Sequence, residues 1–130
     1  MINTIYDNDL YLSAVYRYNG INSSEFYGDV LYVGMGSGFM VKGHSDLVTS
    51  TTFIEIDEEV INKYRQYDWV VIKGDAYDVE VDTKFDFIII DIWDKPTDKI
   101  NIDHLINKFN NNLKGGEIKY LKSIIKRTPM

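Results

Sequence analysis

Apolar positions along the chain fall into two periods. Four runs are too short for helices and rich in β-branched or aromatic side chains: Val30-Leu31-Tyr32-Val33, Thr52-Phe53-Ile54, Trp69-Val70-Val71-Ile72-Lys73 and residues 84–91. They predict strands. The last is almost continuously apolar, as a central parallel strand covered on both faces must be. Elsewhere apolar residues recur at helical spacing. Leu12, Val15 and Tyr16 share a face over 10–18, Val60, Ile61, Tyr64 and Tyr67 over 58–67, and Ile102, Leu105, Ile106 and Phe109 over 101–113.

Punctuation fits this division. Asp7-Asn8-Asp9 caps the first helix and Asn19-Gly20 stops it. Asp57 caps the second, with Glu58 and Glu59 in the first turn, where the helix dipole favours acids. Lys114-Gly115-Gly116 ends the third. The remainder carries two patterns. Ile118 and Tyr120 alternate as in a strand, whereas Ile118, Leu121, Ile124 and Ile125 fit a helix. The expectation is a strand over 117–121, then a short basic helix or frayed end. The whole predicts one α/β domain of about five mostly parallel strands with helices on both faces. It divides into an N-terminal helical segment (1–28), a core (29–121) and a basic tail (122–130).

Composition narrows the function. A chain of 130 residues, 45% hydrophobic and 14% aromatic, is long enough to bury a core. A net charge of −6 argues against nucleic-acid backbones as partners and suits a cationic ligand. The absence of cysteine excludes disulfides and thiolate metal sites. His44 and His104 are the only histidines, and no metal is expected. The start lacks the pattern of a signal peptide and no apolar run reaches the ~20 residues of a membrane span, so the expected location is cytoplasmic.

The candidate chemistry lies at the carboxyl ends of the predicted strands, where open parallel sheets bind ligands. Gly34, Gly36 and Gly38 follow the first strand; glycines let the main chain pass close to a ligand. Glu55 ends the second strand and can accept hydrogen bonds from ribose hydroxyls. Asp75 follows the third strand within Gly74-Asp75-Ala76, and Asp91 and Asp94 follow the fourth. Together they describe a nucleoside site.

These residues resemble the class I S-adenosylmethionine-dependent methyltransferase superfamily, and within it the spermidine synthase (aminopropyltransferase) branch. Val-Gly-Met-Gly-Ser-Gly at 33–38 is similar to the family's first motif, and Gly74-Asp75-Ala76 to its Gly-Asp-Ala. The run that ends Asp91-Ile92-Trp93-Asp94 is similar to its Asp-x-x-Asp strand, and Leu113-Lys114-Gly115-Gly116 to its turn into the fifth strand. The resemblance implies a Rossmann-like methyltransferase-type sheet without the C-terminal strands of the full fold. It implies S-adenosylmethionine or its decarboxylated form as co-substrate. It assigns Gly34, Gly36 and Gly38 to the amino-acid end of that ligand, Glu55 to the ribose, and Asp75 with Ala76 to the adenine. Asp91 becomes the catalytic base as well as a donor contact. Asp94 becomes a second catalytic acid that holds an amine, and Tyr11 a substrate contact. Ser13 stands where the family's synthases carry a glutamate. The expected activity is transfer of an aminopropyl or methyl group to a small acceptor, such as a cationic amine. The alternatives are an inactive nucleoside-binding or protein-interaction module and an acceptor-free lyase. Open sheet edges suit a homo-oligomer.

Overall fold

The computed structural model describes residues 20–34, 44–63, 69–91 and 102–120. The expected helix over 10–18, the distal half of the one over 58–67, and the basic tail lie outside the described residues. A 3-10 turn, Ser23–Glu25, precedes strand β1 (Gly28–Val33). Then follow β2 (Val48–Glu55), helix α1 (Glu58–Lys63), β3 (Val70–Lys73), β4 (Phe85–Ile90), helix α2 (Ile102–Asn110) and β5 (Leu113–Tyr120). The five strands form one sheet in the order β3-β2-β1-β4-β5, and all four pairings are parallel.

The two apolar runs read as strands hold the centre. Val30, Leu31, Tyr32 and Val33 of β1 are buried, as are Phe87 to Ile90 of β4, because both faces of the sheet are covered. On one face Tyr32, Phe53, Phe87 and Ile89 pack with Phe26 and with Ile61 of α1. On the other, Leu31, Val33, Ile54, Ile88 and Ile90 pack with Leu105 and Phe109 of α2. Burial of each such side chain contributes about 1.5–3 kcal/mol. At the β3 edge, Val70 is 58% exposed. Asp57 is the N-cap of α1: its Oδ1 accepts from the Glu59 N–H at 2.9 Å.

The glycines at 115 and 116 do not end a helix, contrary to the expectation from sequence. Helix α2 stops at Asn110, and Leu113 already belongs to β5. Asn112 makes the turn: its Nδ2 donates to the carbonyls of Val81 (2.7 Å) and Thr83 (2.8 Å), and its own carbonyl accepts from the Phe85 N–H. The glycines form a bulge in β5, where Phe85 pairs with Leu113 but Phe87 pairs with Glu117. A Cβ on Gly116 would lie 1.9 Å from the carbonyl oxygen of Asp86.

A polar network closes the amino end of the sheet. Asp29 accepts from Ser50 Oγ (2.6 Å) and Thr49 Oγ1 (3.1 Å), and its Oδ2 pairs with Lys114 Nζ at 2.6 Å. The Asp29 N–H donates to Asp86 Oδ2 at 2.9 Å. Neighbouring strands are thereby tied together at the end remote from the candidate site.

Candidate functional site

The opposite end of the sheet collects the predicted residues. Val33 pairs with Ile54 of β2 and with Ile90 of β4, so one step further Gly34 is level with Glu55 and with Asp91. Glu55 is level with Lys73 of β3. The ladder reaches these residues: the Gly34 N–H donates to the Ile54 carbonyl (2.8 Å), the Asp91 N–H to the Val33 carbonyl (2.9 Å) and the Gly74 N–H to the Glu55 carbonyl (3.0 Å). Glu55, Gly34 and Asp91 therefore form one rank across three adjacent strands. With strands about 4.8 Å apart, the two acids flank the glycine at a backbone separation of about 10 Å.

Gly34 turns out of the sheet with φ +106°, a backbone region that side chains strain to enter. The glycine predicted from spacing is thus required by conformation. Asp91 is 4% exposed, the one buried charged side chain among the described residues. A carboxylate is costly to bury, and this one lies at the strand end level with Gly34. Its charge reaches Tyr32, whose phenol is pushed far above the usual range by burial and further by Asp91.

Glu55 is half-buried, and its Oε2 accepts from the Asp57 N–H at 3.1 Å, which orients the carboxylate at the rim. Asp75 opens the turn after β3. Its Oδ1 accepts from the Tyr77 N–H at 2.9 Å, and its carbonyl from the N–H groups of Asp78 and Val79. Ala76 is buried, and its carbonyl accepts from Lys108 Nζ of α2. Gly36, Gly38, Asp94 and Tyr11 lie outside the described residues.

Three further contacts join residues that no sequence spacing relates. Lys108 braces the Asp75 turn from α2. Tyr32 hydrogen-bonds through its hydroxyl to Nε2 of His44, and the two rings stack 5.6 Å apart. The only sequence signal was a tyrosine inside an aliphatic run. His44 is half-buried, and burial lowers its pKa. His104 is exposed and stacks on Tyr77 at 5.5 Å. Among the described residues, no group of three His, Asp or Glu side chains is arranged to hold a metal ion, and no helix is long and apolar enough to cross a membrane.

No protein-family model and no curated protein matches the sequence. Solved structures do match the fold. An S-adenosylmethionine-dependent methyltransferase from Clostridium acetobutylicum superposes with a TM-score of 0.56 at 20% identity, over 86% of this chain and 48% of that one. The DhpI–SAM–HEP complex gives 0.64 at 17% identity, over 86% and 53%. The N-methyltransferase NodS from Bradyrhizobium japonicum gives 0.60 at 14%, over 88% and 67%. The chain thus has the Rossmann-like fold of class I S-adenosylmethionine-dependent methyltransferases, and it spans about half the length of the first two of these proteins.

Proposed function

We propose that this chain binds S-adenosylmethionine and transfers a group from it to a small acceptor. The observation that carries the reading is the rank Glu55, Gly34, Asp91 at the carboxyl edge of the sheet. The residues suit the ligand. Gly34 leaves room for close main-chain approach. Glu55 offers carboxylate oxygens to two ribose hydroxyls, and the Asp75 turn offers a carboxylate to an exocyclic amine. Gly36 and Gly38 are assigned with Gly34 to the amino-acid end of the ligand, and Ala76 to its adenine. S-adenosylmethionine supplies an electrophilic carbon on a positively charged sulfur.

The chain's task is then positioning and proton acceptance. The acceptor's lone pair forms the new bond to carbon as the carbon–sulfur bond breaks and its electron pair passes to sulfur, leaving a neutral thioether, and Asp91 takes the proton that the acceptor loses. Asp94 and Tyr11 hold the acceptor, and the acidic balance attracts a cationic one. Methyl transfer is the preferred reaction, since the matching structures are methyltransferases. Aminopropyl transfer from the decarboxylated donor follows from the same residues, through the acid pair Asp91 and Asp94. An inactive nucleoside-binding module is the second reading: it would use the same donor site and differ in having no turnover.

Calorimetric titration with S-adenosylmethionine, its decarboxylated form, S-adenosylhomocysteine and methylthioadenosine tests this. The expected result is binding of S-adenosylmethionine and S-adenosylhomocysteine. Preference for the decarboxylated donor transfers the assignment to aminopropyl chemistry. Binding without turnover across an amine and methyl-acceptor screen favours the module, and no binding overturns the proposal.

A further inference from the structure

An aromatic row crosses one face of the sheet towards the candidate site. Trp69 packs on Phe53 with ring centroids 5.1 Å apart, Phe53 stacks on Tyr32 at 5.0 Å, and Tyr32 stacks on His44 at 5.6 Å. The Phe26 ring closes on His44 from the side at 6.0 Å. Tyr32 and His44 stand on either side of the connection that leaves β1 at Gly34. The first is two residues before that glycine, on the same strand and on the face that Asp91 shares. The second is ten residues after it. The bond between the Tyr32 hydroxyl and His44 Nε2 therefore ties the return of the connection to the strand that launches it. A phenol buried in an aromatic row has few alternatives for its hydroxyl, and a partner for it is worth more there than in water.

We infer that Tyr32 and His44 are positioning residues: their side-chain bond fixes the chain at His44 against β1, two residues before Gly34, and so holds this end of the nucleoside site in its binding geometry. The inference rests on the S-adenosylmethionine reading above. Neither side chain is assigned a contact with the ligand; both act through the backbone they hold. Asp91 is the charged group that faces Tyr32 along the sheet, while His44 meets aromatic rings on two sides.

The test is Tyr32→Phe, which keeps the ring and its stacking and removes only the hydroxyl. Two measurements are made on the full chain. The first is the ¹⁵N spectrum of the imidazoles, with the two histidines distinguished by His104→Gln. The His44 Nε2 resonance should move in Tyr32→Phe, while the His104 resonances stay; an unmoved His44 resonance overturns the inference. The second is calorimetric affinity for S-adenosylhomocysteine below the unfolding transition. Loss of one hydrogen bond that sets the site should weaken binding roughly three- to tenfold. Asn112→Ala serves as a control that lowers stability at a remote turn, and it should leave affinity unchanged. Equal affinity of wild type and Tyr32→Phe overturns the inference alone. Failure of the wild type to bind either nucleoside overturns the functional reading and the inference with it.

Discussion

Lys108 reaches from helix α2 to donate its Nζ to the carbonyl oxygen of Ala76 at 2.7 Å. That bond braces the turn that presents Asp75, from a helix that otherwise only covers the sheet. Lys108→Met keeps an unbranched apolar side chain and loses both the donor and the ammonium that lies 5.4 Å from the centre of the Phe109 ring. It should cost about 1 kcal/mol of stability, the usual net worth of such a bond, measured by urea unfolding. Nucleoside affinity should fall roughly threefold, since the turn loses its tether. Unaltered affinity would separate the Asp75 turn from the ligand site.

The two outer carboxylates of the site should divide the ligand between them. Asp75→Ala removes the proposed adenine partner, and Glu55→Gln keeps the size of the ribose partner while removing its charge. Each should weaken S-adenosylhomocysteine binding by about tenfold, the loss of one charge-assisted hydrogen bond. The Asp75 variant should also lose stability, because its carboxylate holds the Tyr77 N–H. A Glu55→Gln chain that binds as tightly as wild type would remove Glu55 from the ribose.

Asp91 should separate binding from chemistry. Asp91→Asn preserves shape, replaces one acceptor oxygen by an amide donor and removes the base. Once an acceptor is in hand, kcat should drop by about 10²–10⁴-fold, the range of general-base contributions, while nucleoside affinity changes little. An active Asp91→Asn enzyme would remove it as the proton acceptor.

What could be read from sequence follows the range of the interactions involved. The central strands were legible because Val30 to Val33 and Phe87 to Ile90 are buried on both faces and so had to be apolar. The Asp57 cap was legible because a cap is local. The start of β2 was not: the expected run began at Thr52, whereas the strand begins at Val48, and Thr49 and Ser50 are polar because they hydrogen-bond Asp29 across the sheet. The bond of Tyr32 to His44 and the reach of Asn112 to Val81 and Thr83 join residues that no period relates. Gly34 and Asp91 could be assigned to strand ends, but their shared rank needed the register.

The misread glycines give a sharp contrast. Gly115 has φ +121° with nothing near its missing Cβ, so Gly115→Ala meets backbone strain alone, about 1–2 kcal/mol. Gly116 lies against the Asp86 main chain, where a methyl group cannot fit unless one strand shifts. Gly116→Ala should therefore be the more damaging, by more than about 2 kcal/mol in urea unfolding. The reverse order would mean that the bulge yields easily and that β4 and β5 are not held in this register.

Acid should weaken the sheet through Asp29. Hydrogen bonds from Lys114 and Ser50 hold its carboxyl at about 2, below the ordinary value of 3.8. A group whose pKa is lower in the folded chain binds fewer protons there than in the unfolded one. Its contribution is therefore complete above about pH 4 and is lost as the pH falls towards 2. Lys114 works in the opposite sense: Asp29 raises its pKa, so its contribution is present at neutral pH and fades only above its ordinary value of 10.5. Other carboxylates also titrate in acid, so the measurement is a difference. Urea unfolding of wild type and Asp29→Asn, compared from pH 7 to pH 2, should give a gap that is constant down to about pH 4 and closes below it. Because the pair is partly open to water, 0.5 M salt should narrow the gap at neutral pH. A gap that persists at pH 2 would mean that Asp29 stabilises the sheet through hydrogen bonds that survive its protonation, and not through its charge.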